Sequence, residues 1–301
     1  MHQKIFKLIV IAVLSCCITV GCYPTERQAG ESAPASVIQV TDTEDVAHEI
    51  QEFLDTQPSA TTPNRLVVVQ DMTGSLEQHR VKRLQSQQLK PLLALLADKG
   101  GEIAVLNVCQ DSNNPMQRLR IAQHPKFDPQ KLQNPIPPQP VDPNVNPFQR
   151  REHEQAYQEA FQTYRETLET DLAVVANHQQ TVKDWRAKSQ TESDRFLAEI
   201  KSLWEQPHNC PSTDIYGAIS RAELFFNEDT SIWTREPQNW IVFITDGIHN
   251  TPNQAVSLSS NTKVLLVNGG DSIGIFQDIP HLPFEAPSAA IEHIVHHSSQ
   301  K

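Results

Sequence analysis

The 301-residue sequence predicts an α/β fold with a mostly parallel central sheet and helices on both faces. Short β-branched runs alternate with amphipathic helical segments, and this alternation is typical of parallel sheets because parallel neighbours need crossover helices. Between Cys109 and Cys210 the alternation stops for about 100 residues of different character. We therefore expect one α/β domain, formed by residues 43–109 and 210–301, with an insertion at 110–209.

The first half of the domain is predicted to run helix, strand, helix, strand. Thr43 is a plausible N-cap, and apolar residues recur at helical spacing after it. Residues 66–70 and 102–108 are β-branched and apolar, as buried strands are. A helix is predicted over 78–98, although Pro91 should kink it or mark a junction.

The alternation resumes in the second half of the domain. The predicted segments are a helix at 214–226, strands at 240–245 and 263–268, and a helix at 288–297.

The insertion has two parts. Eight prolines lie between Pro125 and Pro147, which favours polyproline II or irregular chain. Residues 148–206 contain neither Gly nor Pro, and their apolar residues recur mostly three or four apart, so we predict one long helix or a helical hairpin. This helical part either packs on the domain or forms an arm that binds a partner.

Composition excludes some classes of partner. Hydrophobic residues make up 38% of the chain and charged residues 20%, as in soluble globular proteins. Lys plus Arg number 25 against 36 Asp plus Glu, a net charge of -11, so we predict no nucleic-acid partner. A carboxylate-rich surface suits divalent cations or solubility alone.

The amino terminus predicts export. Two lysines precede an apolar run at residues 8–20, which has the length of a signal-peptide core, so residues 1–21 are predicted to be a signal peptide. Gly21 followed by Cys22 resembles the bacterial lipoprotein box, which implies that Cys22 is lipidated. The protein is then an exported, membrane-anchored lipoprotein, periplasmic or at the cell surface, and residues 22–42 form a flexible tether. Cys16 is a rival anchor, and a plain cleaved signal or an uncleaved anchor stays open.

Oxygen-bearing side chains follow two predicted strands and precede one predicted helix. Because α/β sheets place their sites at the carboxyl ends of strands and the amino ends of helices, we expect these side chains to converge. Gly74 is expected to permit the turn within the first motif. The motifs are Asp71-Met72-Thr73-Gly74-Ser75, Ser212-Thr213-Asp214 and Thr245-Asp246-Gly247.

Asp71-x-Thr73-x-Ser75, then Thr213, then Asp246 resembles the metal-ion-dependent adhesion site of the von Willebrand factor type A domain. That pattern is Asp-x-Ser-x-Ser, a separate Thr and a separate Asp, and the resemblance covers about residues 66–108 and 210–295. It implies Mg²⁺ or Mn²⁺ held by the three hydroxyls, with both aspartates acting largely through water. It further implies a protein partner whose Glu or Asp completes the metal shell, and therefore binding without turnover.

Two other functions stay open. The first motif also resembles the aspartyl-phosphate loop of haloacid-dehalogenase-like phosphatases, with Asp71 as nucleophile and Asp246 helping to hold Mg²⁺. Against that resemblance, Asn250 stands where another Asp is expected. The third possibility is a scaffold that acts through the helical insertion and keeps a vestigial metal site.

Cysteine usage predicts one disulfide. If Cys22 is lipidated, Cys109 and Cys210 remain, and they flank the insertion. An exported location is oxidising, so we expect these two to pair, with two free buried thiols as the alternative.

Overall fold

A six-stranded sheet lies at the centre of the computed structural model, which describes residues 43–58, 61–109, 112, 115–206, 210–250, 258–267 and 274–299. The strand order is β3-β2-β1-β4-β5-β6, and only the β2–β3 pair is antiparallel. The predicted α/β class with a mostly parallel sheet is therefore confirmed. The strands are β1 Asn64–Asp71, β2 Gly101–Val108, β3 Gln117–Ile121, β4 Gln238–Ile244, β5 Thr262–Val267 and β6 Leu282–Phe284.

Helices cover both faces of the sheet. The apolar core divides into two clusters because successive strand residues point to opposite faces: Leu66 and Val68 of β1 join one cluster, and Val67 and Val69 join the other. α5 covers the second cluster, whereas α3, α6 and the end of α4 cover the first. The helices are α1 Thr43–Asp55, α2 Ser75–Gln78, α3 Lys90–Lys99, α4 Pro147–Glu205, α5 Ile215–Phe226 and α6 Pro287–Ser299.

The single helix predicted over 78–98 is wrong. α2 ends at Gln78, a 3-10 turn spans Ser86–Leu89, and α3 begins at Lys90 with Pro91 in its first turn. Proline is tolerated there because the first turn needs no backbone donor, whereas inside a helix its ring would clash with the preceding turn.

β3 lies within the range predicted as the insertion, and the sequence analysis did not find it. Its side chains alternate: Leu119 and Ile121 are buried, whereas Arg118 and Arg120 are exposed. Both arginines pair with the carboxylate of Glu102 on β2 at 3.3 Å. A five-residue alternation next to a proline-rich stretch is too short to indicate a strand without its partner.

α4 is one unbroken helix of 59 residues, so the hairpin alternative is wrong. At 1.5 Å per residue it is about 88 Å long. Its carboxyl-terminal part packs in the core, where Phe196 and Ile200 are buried, and the Trp204 indole donates to Asn107 Oδ1 at 2.9 Å. Its amino-terminal part is largely exposed, and Phe148 is 95% exposed.

The proline-rich segment lies along α4. The backbone N–H groups of Gln133 and Asn134 donate to the Asp171 carboxylate, and Arg150 donates to the Pro143 carbonyl at 2.7 Å. The helix rises about 31 Å between positions 150 and 171, and a polyproline II chain from 133 to 143 also spans about 31 Å. The segment therefore runs nearly fully extended and antiparallel to the helix.

Cys109 and Cys210 are paired in the structure, with Cα atoms 4.9 Å apart, within the usual range for disulfides. The predictions for residues 1–21, the tether at 22–42 and the anchor Cys22 lie outside the described residues. Within the described ranges, no helix is both long enough and apolar enough to cross a membrane.

Replacing a buried residue of α4 tests whether the end of this helix belongs to the core. We expect Ile200→Ala, at a side chain 0% exposed, to lower the free energy of unfolding by about 2 to 5 kcal/mol. The control Leu224→Ala, at a side chain 69% exposed on α5, should change it by less than about 0.5 kcal/mol. Urea denaturation followed by circular dichroism measures both, and equal small effects would contradict the packing of α4.

Peptide mapping under non-reducing conditions tests the cysteine pair. We expect native protein to yield a peptide that links Cys109 to Cys210, because the structure already holds the two residues at bonding geometry. Recovery of both cysteines as freely alkylated residues would contradict the pairing.

Candidate metal centre

The centre begins where β1 ends, at Asp71. This side chain is 0% exposed, and its Oδ1 accepts two hydrogen bonds from Thr73, one from the backbone N–H at 2.8 Å and one from the hydroxyl at 2.7 Å. The Thr73 and Ser75 hydroxyl oxygens lie 3.0 Å apart. Because the Thr73 proton points to Asp71, Ser75 is the donor to Thr73, which leaves one lone pair on Thr73 and both lone pairs on Ser75 for another electrophile.

β4 brings the second carboxylate to the same edge of the sheet. β1 and β4 pair in parallel register up to Gln70 and Ile244, so the next residues, Asp71 and Thr245, lie side by side. The Thr245 hydroxyl donates to Asp71 Oδ2 at 2.9 Å, which leaves neither oxygen of Asp71 without a donor. The strand order reverses between β1 and β4, and ligand sites of open α/β sheets lie at such switch points.

Asp246 carries a buried oxygen without a hydrogen-bond donor. The side chain is 2% exposed, and its Oδ1 accepts from the Ile248 N–H at 3.0 Å. Its Oδ2 has no donor in the described part of the chain. An anionic oxygen that is shielded from water and unpaired is strongly destabilising, and a cation would satisfy it.

The loop before α5 completes the centre. Thr213 is 2% exposed; its N–H donates to Asn250 Oδ1 at 2.7 Å, and the Asn250 N–H donates to the Thr213 carbonyl at 3.3 Å. The next residue, Asp214, caps α5 by accepting from the Gly217 N–H at 2.9 Å. The Thr213 hydroxyl has no hydrogen-bond partner among the described residues, so it is available to a ligand.

Backbone and side-chain hydrogen bonds connect each of these loops to its neighbour. The Met72 N–H donates to Val108, and the Asp214 N–H donates to the Cys109 carbonyl next along the chain. Asn250 accepts from the Thr213 N–H, and Thr245, at the start of the same segment after β4, donates to Asp71. These bonds hold the loops that carry the five predicted site residues at the carboxyl-terminal edge of the sheet; the residues are Asp71, Thr73, Ser75, Thr213 and Asp246.

Burial of the Asp71 carboxylate disfavours its charged form. Burial raises the pKa of Asp71 above its ordinary value, the hydrogen bonds from Thr73 and Thr245 oppose that rise, and the charge of Asp246 adds to it. Two acids in a buried site favour a bound cation or a shared proton. Across the described residues, no three His, Cys, Asp or Glu side chains converge, so a metal here would take hydroxyl oxygens to complete its shell. Such an oxygen-only set suits Mg²⁺ or Mn²⁺.

The glycine predicted to shape the first motif is not needed there. Gly74 has φ -72° and ψ -16°, in the helical region, and a Cβ at this position would meet nothing within 4 Å. The expectation that Gly74 permits the turn is therefore wrong. The turn that does require glycine follows Asp246, where Gly247 has φ +77°, a conformation that side chains rarely adopt.

Three side chains near Asp246 have roles in the site that the sequence did not indicate. Thr245 orients Asp71, Asn250 holds the Thr213 loop, and His249 Nδ1 accepts from the Ile215 N–H at 3.2 Å. All three flank Asp246 within six residues, so a polar run directly after a buried strand is the signal that could have indicated them. Their partners lie 34 to 174 positions away, and the sequence does not give those distances.

Comparison with known proteins finds no matching family model, no matching curated protein and no matching solved structure.

Removing the unpaired carboxylate should have opposite effects on stability in the absence and in the presence of bound metal. In EDTA we expect Asp246→Asn to melt at the same temperature as the unaltered protein or higher, because a buried anion without a donor is lost. Mg²⁺ at 100-fold above its Kd should stabilise the unaltered protein by about 2.7 kcal/mol and the variant by far less.

Differential scanning fluorimetry in EDTA and in Mg²⁺ measures this inversion. Asp98→Asn is the matched control, since it removes an exposed carboxylate at the end of α3. A variant that is destabilised in EDTA and still responds to Mg²⁺ would show that Asp246 is structural and binds no metal.

Proposed function

We propose that this chain is a divalent-metal-dependent protein-binding lipoprotein that uses a metal-ion-dependent adhesion site of the von Willebrand type A kind. The observation that carries the proposal is the buried, donor-free Oδ2 of Asp246 beside the buried carboxylate of Asp71. Mg²⁺ or Mn²⁺ would be held by the hydroxyls of Thr73, Ser75 and Thr213, with the two aspartates acting largely through water.

The donor set supports recognition without turnover. When bound, the metal supplies an electrophilic position for an incoming oxygen, because hydroxyls neutralise less of its charge than carboxylates do. A Glu or Asp of a protein partner is the ligand that this position favours. The net charge of -11 disfavours nucleic acid as the partner.

The site gives little support to the phosphatase alternative. A nucleophilic aspartate needs an oxygen that can approach a substrate. Asp71 is 0% exposed, and both of its oxygens already accept hydrogen bonds from Thr73 and Thr245. Turnover of a generic phosphomonoester that disappears in Asp71→Asn would nevertheless restore this alternative.

The proposed cellular setting rests on the sequence. A signal peptide at 1–21 and lipidation of Cys22 would export the domain and anchor it in a membrane, at the periplasmic or the outer surface. The tether at 22–42 would then separate the binding domain from the lipid.

Metal titration tests the adhesion site directly. We expect Mn²⁺ and Mg²⁺ to bind the full chain, and Thr213→Ala to weaken that binding by about 10- to 100-fold, because a hydroxyl ligand is lost. Isothermal titration calorimetry measures the affinity. The control is Ser298→Ala, which removes a buried hydroxyl that donates to Asn64, the residue at the opposite end of β1 from Asp71. Binding that is indifferent to Thr213 would contradict the proposal.

Capture of partners separates the adhesion site from the scaffold alternative. If the metal centre binds the partner, proteins captured by the full chain in Mg²⁺ should be released by EDTA and lost with Thr213→Ala. If α4 is the binding element, capture should survive EDTA and Thr213→Ala.

A further inference from the structure

A cavity of about 320 Å³ lies near the amino ends of the parallel strands, at the end of the sheet opposite the metal centre. Three elements line it: the end of α1, the chain after β3 at residue 124, and α4 between positions 178 and 186. The segment after β3 lies at this end because Ile121 pairs with Gly101, the first residue of β2.

The lining of this cavity is cationic. Lys183 and Arg186 carry the fixed charges, His124 and His178 add two imidazoles, and the described residues that line it include no Asp or Glu. The lining is therefore positive although the chain as a whole has eleven more acidic than basic residues.

The two long cations differ from four other basic residues on the same helix. Four basic residues of α4 each pair with a glutamate one turn on: Arg165–Glu169, Lys188–Glu192, Arg195–Glu199 and Lys201–Glu205. Four positions on from Lys183 is Ala187, and four on from Arg186 is Gln190. Neither cation pairs with any carboxylate of the described residues. Both therefore keep their charge available to a ligand in the cavity.

Aromatic contacts fix the rest of the wall. The Phe53 ring of α1 lies 5.8 Å from the His178 ring, and His124 lies 5.1 Å from Trp185, in both cases edge to face. His124 Nδ1 lies 2.8 Å from the Pro125 carbonyl oxygen. Because a carbonyl oxygen can only accept, Nδ1 is the ring nitrogen that carries the hydrogen. Burial lowers the pKa of His178, and the neighbouring basic groups His124 and Lys131 lower it further.

We propose that this cavity binds a phosphate ester, with Lys183 and Arg186 holding the phosphate and Phe53 packing against the organic group. A phosphate dianion balances two fixed cations, and its several oxygens can accept from donors on different elements, whereas a carboxylate offers one charge in one plane. The source of the phosphate is either a soluble ester or the headgroup of an anionic lipid.

Calorimetric titration with phenyl phosphate tests this site. The full chain is used, with excess EDTA present so that the metal centre takes no part. We expect saturable binding that weakens at least about tenfold in the double variant Lys183→Gln/Arg186→Gln, because two charge-assisted contacts are lost. The matched control is Lys188→Gln/Arg195→Gln, which removes the same charge from the same helix at residues already paired with glutamates.

Flotation with phosphatidylcholine vesicles, with and without phosphatidylglycerol, distinguishes the two sources. Binding to the anionic vesicles that phenyl phosphate displaces identifies a lipid headgroup; binding of phenyl phosphate without vesicle binding identifies a soluble ester. Three results would overturn the proposal: no saturable binding of phenyl phosphate, equal loss in both double variants, or benzoate binding as tightly as phenyl phosphate.

Discussion

Parallel pairing of β1 with β4 is the constraint on which the site depends. The register places Asp71 next to Thr245, and this contact buries one carboxylate within reach of the charge of the next, Asp246. Such a pair lowers stability unless hydrogen bonds and a cation compensate for it. Thr73 and Thr245 supply the hydrogen bonds. The remaining oxygen, Asp246 Oδ2, is left to a ligand, which connects the packing of the sheet to the function that we propose.

The two halves of the chain meet at this site although about 100 residues separate them in sequence. Three contacts hold the two halves together. They are the Cys109–Cys210 pair, the hydrogen bond from the Asp214 N–H to the Cys109 carbonyl, and the packing of the end of α4. The insertion is therefore part of the domain at both of its ends. Between those ends, the extended proline-rich segment lies along α4. The exposed part of α4 is the surface that the scaffold alternative would use.

The sequence predicted the features that depend on local periodicity. Four of the six strands, the helix before β1 and the long helical character of 148–206 follow from apolar spacing, whereas the five-residue metal site stays a prediction from motif order. Pro91 indicated a junction, but the non-helical chain after Gln78 and the glycine-dependent turn at Gly247 were not predicted. The strand at 117–121 was missed because it depends on pairing with β2. Gly74 and Gly247 illustrate this limit: both follow strands, but only the turn at Gly247 requires a left-handed backbone.

In our proposal the buried carboxylates and hydroxyls form one cation site with an open position. Crystals of the full chain can be soaked in Mn²⁺ and measured at a wavelength that gives manganese anomalous scattering. We expect an anomalous peak about 2.1 Å from the hydroxyl oxygens of Ser75 and Thr213, with density for water or a carboxylate on its exposed side. The absence of a peak there, or a single peak elsewhere on the acidic surface, would contradict it.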